Sequence, residues 1–315
     1  MARCFVTREL PGSDLERLRE AHEVEVWPEP RPPTGDELRT GAADAEGLLT
    51  LLTERVDADL IATLPRLRAI SNFAVGTDNV DLAAASERGI PVGNTPEVLT
   101  DATADLALAL MLAVARRLCP AAAVVREGRW GPWAPDFMLG RDLHRATVAI
   151  VGGGRIGSAV ARRLEGFDCR ILVAGRADRD GLAELVAEAD FVSVHTPLTE
   201  QTREMIGEPE LRAMKRTAYL VNTARGPIVA TAALERALRE GWIAGAALDV
   251  TDPEPLPADH PLLEAPNLLV VPHIGSATHR TREAMARIAV DNLLAALAGE
   301  RMPHCANPEA YERPS

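Results

Sequence analysis

The chain has 315 residues, about twice the usual length of one domain, so two domains are expected, each able to bury its own core. Hydrophobic residues at 47% and charged residues at 25% are ordinary for a folded globular chain and argue against disorder. A formal net charge of −12 excludes a sequence-independent grip on nucleic acid or on an anionic membrane, both of which need a basic surface.

The opening stretch, MARCFVTRELPGSD, lacks the apolar core of a secretion signal. The longest apolar run, Leu106 to Ala115, is too short to span a bilayer and stops at Arg116 and Arg117. The expectation is a cytoplasmic protein without membrane attachment. Cys4, Cys119, Cys169 and Cys305 lie far apart with no metal-spaced pair, so they read as reduced, mostly buried thiols. No metal site is expected.

The first hundred residues alternate short apolar runs (CFV, EVEVW, GLLTLL, RAISNF, IPVGN) with helical patterns such as GSDLERLREA and RVDADLIATL. That rhythm predicts βαβ units and a parallel sheet. The proline-rich residues 28–33 form a stiff loop. Thr100 to Arg126 reads as a long helix interrupted near Pro120 and apolar on more than one face, hence buried between domains or against a second subunit.

After a connection carrying Trp130 and Trp133, the rhythm restarts with ATVAIVGGGRIGSAVARRL and continues through CRILVAG, ADFVSVHTP, TAYLVNTARG, IAGAALDV and NLLVVPH, which predicts a second doubly wound sheet. Within it Gly152, Gly154 and Gly157 have G-x-G-x-x-G spacing between a strand and a helix. The first glycine permits a tight turn, the second admits a pyrophosphate to the backbone, and the third lets helix pack on strand. A dinucleotide site follows, with Arg155 and Ile156 in its loop.

The ribose-binding position falls about 20 residues further on, where an NAD enzyme carries a carboxylate. This chain has Gly175 there, followed by Arg176 and Arg179. Without the acid nothing repels a 2′-phosphate, and the arginines could clamp one. NADP(H) is therefore the preferred cofactor, with NAD(H) possible. Any one arginine is weak evidence, because only Lys215 among the 34 basic residues is not arginine.

Three later segments carry candidate chemistry: VNTARGPIV with Arg225, LDVTDPEPLPADHPLL with Asp249 and Glu254, and VVPHIGSATHRTR with His273. Each follows a predicted strand, at the sheet edge where open α/β folds bind ligands. With GAALDVTDPEPLPADHPLL, PHIGSATHRTREAM and TPEVLTDATADLALALMLAVARRL, the sequence resembles the NAD(P)-dependent D-2-hydroxyacid dehydrogenases over nearly its whole length, closest to their glyoxylate/hydroxypyruvate reductase branch.

The resemblance implies two Rossmann-like doubly wound parallel-sheet domains with the active site in the cleft between them. A substrate domain would comprise residues 1–99 and 285–315, and a dinucleotide domain residues 100–284. It implies His273 as the acid that protonates the substrate carbonyl, Glu254 as its orienter and Arg225 as the partner of the substrate carboxylate. Val75 and Gly76, in AVGTDNV, would complete the carboxylate cradle with backbone N–H groups. Pro197, Thr223, Asp249 and Gly275 would line the cofactor. Trp133 would reach a neighbouring subunit's site, making the protein a homodimer.

The reaction implied is NADPH-dependent reduction of glyoxylate and hydroxypyruvate to glycolate and D-glycerate. The alternatives are an NAD-dependent dehydrogenase for another 2-hydroxy acid, of the D-lactate or phosphoglycerate type, and a nucleotide-sensing regulator resembling the family's corepressors. The acidic charge and the intact Arg225, Glu254 and His273 set argue against the regulator.

Overall fold

A computed structural model describes residues 1–175 and 181–312 and divides the chain into two compact units, Met1–Leu99 with Ala277–Ser315, and Thr100–Ser276. In the first unit the apolar runs become β1 (Arg3–Val6), β2 (Glu23–Val26), β3 (Gly47–Thr50), β4 (Ala69–Asn72) and β5 (Val92–Gly93). Between them lie α1 (Asp14–Ala21), α2 (Gly35–Gly41), α3 (Ala58–Ala62) and α4 (Leu82–Glu87). Local chemistry sets several helix starts. Asp57 and Asp81 accept the N–H groups of Leu60 and Ala84, and Thr34 with Glu37 forms a reciprocal capping box.

The strands are all parallel, in the order β2-β1-β3-β4-β5. Phe5, Leu48, Ile70 and Val92 lie in the buried core of this sheet.

The second unit opens with α5 (Thr100–Ala115) and α6 (Leu118–Arg126), which meet at 62°. The break comes at Arg117, left-handed with φ 54°, and not at Pro120. Pro120 sits in the first turn of α6, where its missing N–H has no helical partner to lose. The buried side of α5 packs on this unit's own sheet and on its glycine-loop helix. No single helix among the described residues is long and apolar enough to cross a membrane.

Next come β6 (Thr147–Val151), α7 (Arg155–Glu165), β7 (Arg170–Ala174), α8 (Leu182–Glu188), β8 (Phe191–Val194), α9 (Glu208–Ala213), β9 (Tyr219–Asn222), α10 (Thr231–Arg239), β10 (Gly245–Leu248) and β11 (Leu268–Val270). Their parallel order is β11-β10-β9-β8-β6-β7, so the chain winds outward in both directions from β6. Val148 and Ile150 belong to one core and Ala149 and Val151 to another, which is why the strand reads as a continuous apolar run.

The final helix, α11 (His279–Leu297), is capped by the Thr278 hydroxyl and packs along α1, β3 and β4. The chain thus returns to the first unit at Ala277, before the helix starts, rather than at residue 285 inside it. The cysteine reading also needs amendment. Cys4 is buried, Cys169 and Cys305 are partly buried, and Cys119 is exposed.

Candidate active site

The glycine loop leaves β6 at the point where the strand order reverses. Its three glycines are needed for three different reasons. Gly152 has φ +103°, and a Cβ there would stand 2.7 Å from the His195 carbonyl carbon and the Thr196 nitrogen. A Cβ on Gly157 would stand 2.1 Å from the Gly152 oxygen, so the close helix-strand approach forbids a side chain. At Gly154 nothing lies within 4 Å of such an atom. That open backbone, at the start of an α7 without a side-chain cap, fits a pyrophosphate group.

Arg176 and Arg179 lie outside the described residues. Of the other expected cofactor contacts, Pro197 is exposed at the end of β8 and Thr223 is buried just past β9. The Thr223 hydroxyl lies 3.4 Å from Nδ1 of His195, whose Nε2 meets the Ser193 hydroxyl at 2.8 Å. Burial pushes the His195 imidazole down to about 4, so it is neutral at physiological pH.

Arg225, Glu254 and His273 come from three successive loops at one edge of the second sheet, after β9, β10 and β11. Asn222, wholly buried at the end of β9, shapes the first loop: its Oδ1 accepts from the Ala224 N–H and its Nδ2 donates to the Arg225 carbonyl. Gly226 then passes so close to the second loop that a Cβ would stand 1.9 Å from the Thr251 oxygen. In that second loop the Thr251 N–H donates to Oε2 of Glu254 at 3.3 Å.

The other oxygen of Glu254, Oε1, lies 2.5 Å from Nδ1 of His273, a short charge-assisted contact. Burial works against the charged form of Glu254, yet the His273 ring, the Thr251 N–H and the Arg225 charge hold its carboxyl below the usual carboxylate range. The pair is thus an anion beside a proton donor. His273 has φ +52°, a left-handed backbone that a side-chain-bearing residue adopts only when its surroundings impose it.

Those surroundings are supplied by Asp249. The Asp249 carbonyl accepts from the His273 N–H at 2.9 Å. Its side-chain oxygens accept from the Ile274 N–H at 2.6 Å and the Gly275 N–H at 2.8 Å. The structure therefore unites Asp249 and Gly275, both expected at the cofactor, as the fastening of the His273 loop. Sequence reasoning missed that role, and it missed Asn222. The signal for both was a polar residue at the end of an otherwise apolar strand run.

Val75 and Gly76 lie in the first unit, in the loop that follows β4. Trp133 and Trp130 are not core residues. They are 87% and 73% exposed, and Phe137 and Leu139 on the same connection are also exposed.

A model of the D-isomer specific 2-hydroxyacid dehydrogenase family, NAD binding domain, matches residues 108–275. A glyoxylate reductase from Korarchaeum cryptofilum (strain OPF8) is 47% identical over 322 residues, covering 98% of this chain and 97% of its own. A solved structure from Thermus thermophilus superposes with a TM-score of 0.91 at 50% identity, covering 96% of this chain and 99% of its own. The NADPH-dependent glyoxylate/hydroxypyruvate reductase of Sinorhizobium meliloti, in complex with NADP and malonate, superposes with a TM-score of 0.87 at 34% identity, covering 100% and 99%.

Proposed function

Because the chain belongs to the D-isomer specific 2-hydroxyacid dehydrogenase family and so takes a nicotinamide dinucleotide, we propose that it is an NADPH-dependent reductase of glyoxylate and hydroxypyruvate, yielding glycolate and D-glycerate. The observation that carries the reading is the Glu254–His273 pair, with its imidazole on an imposed left-handed backbone.

Residues 152–157, including Arg155 and Ile156, would hold the pyrophosphate. Pro197 and Thr223 would flank the cofactor, and Asp249 and Gly275 would act at its nicotinamide end by fixing the loop beside it. When bound, the reduced nicotinamide supplies a hydride to the 2-oxo carbon. His273 then does the acid's work. With Nδ1 engaged by anionic Glu254, Nε2 is the nitrogen that delivers a proton to the carbonyl oxygen. The planar Arg225 guanidinium would pair with the substrate carboxylate, joined by the Val75 and Gly76 N–H groups.

Preference for NADPH rests on sequence: Gly175 stands where an acid would repel the 2′-phosphate, and Arg176 and Arg179 follow. A homodimer is supported by the exposed Trp130, Trp133, Phe137 and Leu139, four large apolar side chains on one connection. In that dimer Trp133 would limit substrate size.

The test is kcat/KM for both acids with NADPH and with NADH. NADPH should win by about tenfold or more, since each charge-assisted bond to the phosphate is worth roughly 1.5–3 kcal/mol. A preference for NADH would keep the dehydrogenase and dismiss the two arginines. Failure to reduce either acid would overturn the assignment.

A further inference from the structure

The loop after β4, residues 73–77, is held in an unusual way. Three successive carbonyl groups are each occupied. The Ala74 oxygen accepts from the Thr95 N–H at 2.8 Å, the Val75 oxygen from Asn94 Nδ2 at 2.9 Å, and the Gly76 oxygen from Asn72 Nδ2 at 2.9 Å. The N–H groups of Val75, Gly76 and Thr77 have no acceptor among the described residues.

In a trans peptide the C=O and the following N–H point in opposite directions. Fixing those three carbonyls therefore aims the next three N–H groups away from the residues that hold them. Val75, Gly76 and Thr77 are partly exposed, so N–H groups aimed this way are open to a ligand.

The holding side chains are themselves fixed. Asn72 is wholly buried at the end of β4, where its Oδ1 accepts from the Thr50 hydroxyl at 3.1 Å and its Nδ2 also meets Asn79 Oδ1 at 3.0 Å. Asn79 Nδ2 in turn donates to the Leu51 and Glu54 carbonyls, each at 2.9 Å. Asn94 is tied through its main chain: its carbonyl accepts from Nδ2 of the wholly buried Asn292 at 3.0 Å. Asn292 can reach it because residue 93 is glycine, where a Cβ would stand 2.7 Å from Asn292 Nδ2.

We propose that Asn94 and Asn72 are positioning residues that preset the Gly76 and Thr77 N–H groups, so that the substrate carboxylate meets a row of three aimed amides ending at Thr77. Neither asparagine touches the substrate. Each acts through a peptide unit whose direction it sets. The inference rests on the reading of this loop as the carboxylate cradle, and it adds to that reading the third amide and the side chains that do the aiming.

The test compares full-length wild type with Asn94→Ala and the isosteric Asn94→Asp, using oxamate as a non-reducible substrate mimic. In both variants KM for glyoxylate and Ki for oxamate should rise together by roughly tenfold, the loss expected from about one hydrogen bond, while Kd for NADPH stays unchanged. A merely structural role would lower Tm and leave the ratio of the two Ki values near one. Arg225→Ala serves as the control. If it weakens oxamate and the Asn94 variants do not, the positioning inference fails alone; if none of the three weakens oxamate, the carboxylate-site reading fails and the inference with it. A readout on the wild type needs no variant to fold: in the NADPH complex, oxamate should shift the Gly76 and Thr77 amide resonances. An unmoved Thr77 amide would overturn the three-amide row.

Discussion

Gly226→Ala adds one methyl group at a point where there is no room for it. The new Cβ would stand 1.9 Å from the Thr251 oxygen, 2.1 Å from the Thr251 carbonyl carbon and 2.7 Å from the Asp252 nitrogen, all backbone atoms that no rotamer change can move. Ordinary contact begins at 3.4 Å, so the loops after β9 and β10 must separate by up to about 1.5 Å. Thr251 carries the N–H that holds Oε2 of Glu254, and its hydroxyl holds the Pro253 carbonyl, so the displacement passes directly to the carboxylate beside His273.

Overpacking of this kind costs about 1–3 kcal/mol in stability, or roughly 3–10 °C in Tm for a unit of this size. A displacement of about 1 Å at a reacting group costs on the order of a hundredfold in rate. The expectation is a modest fall in Tm, a fall in kcat/KM for glyoxylate of about a hundredfold, and unchanged NADPH binding by fluorescence titration, because the glycine loop is not involved. A variant of wild-type kcat/KM would show that the approach of the two loops does not govern the Glu254–His273 pair.

Two further expectations concern pH. Burial opposes the Glu254 anion, but the His273 ring, the Thr251 N–H and the Arg225 charge outweigh it, so the carboxyl stays ionised as pH falls through the ordinary range near 4.3. Its contribution is present above that range and is lost only below it. Glu254→Gln should lower kcat by about 10–100-fold at neutral pH with little change in KM, and a wild-type kcat in this variant would dismiss the carboxylate. His195 acts in the same sense but over a higher pH interval. Because burial holds its imidazole at about 4, the unfolded chain takes up a proton near pH 6.5 that the folded chain refuses. Stability is full above that pH and declines as pH falls toward 4. The shift corresponds to about 3 kcal/mol at most, and to roughly 1–2 kcal/mol here because the residue keeps some accessible surface. Chemical denaturation of His195→Gln should show a flatter decline over that interval. Parallel curves for variant and wild type would count against the burial argument.

The parts legible in the sequence are those whose cause is local. Both faces of the β6 sheet are buried, so TVAIV reads as a strand without any knowledge of its neighbours. The glycine loop is legible because its turn and its helix packing exclude a side chain while its opening leaves the backbone bare, all within six residues. What stayed hidden depends on partners far along the chain. The left-handed φ of His273 is imposed by Asp249, and Gly226 is required by a carbonyl at Thr251. The return of the chain at Ala277 follows from packing of α11 on β3 and β4, which helical periodicity alone does not reveal. A proline marks where a helix is weakened, but the bend came at Arg117, three residues earlier, because a first-turn proline costs the helix nothing.

The partners that hold the Glu254–His273 pair, Asp249 and Thr251 and the Gly226 contact, all belong to residues 100–276. The pair proposed to deliver the proton thus has these partners within one unit, down to the backbone amides that orient it. On the proposed reading, changes to the Val75–Gly76 loop would alter how the acid is held while the Glu254–His273 pair stays intact. Of the residues proposed to meet the substrate, Val75 and Gly76 lie outside that unit, so laboratory selection for a new 2-oxo acid acting on their loop should leave the pair intact, whereas substitutions at Arg225 or Trp133 fall on the unit that carries it.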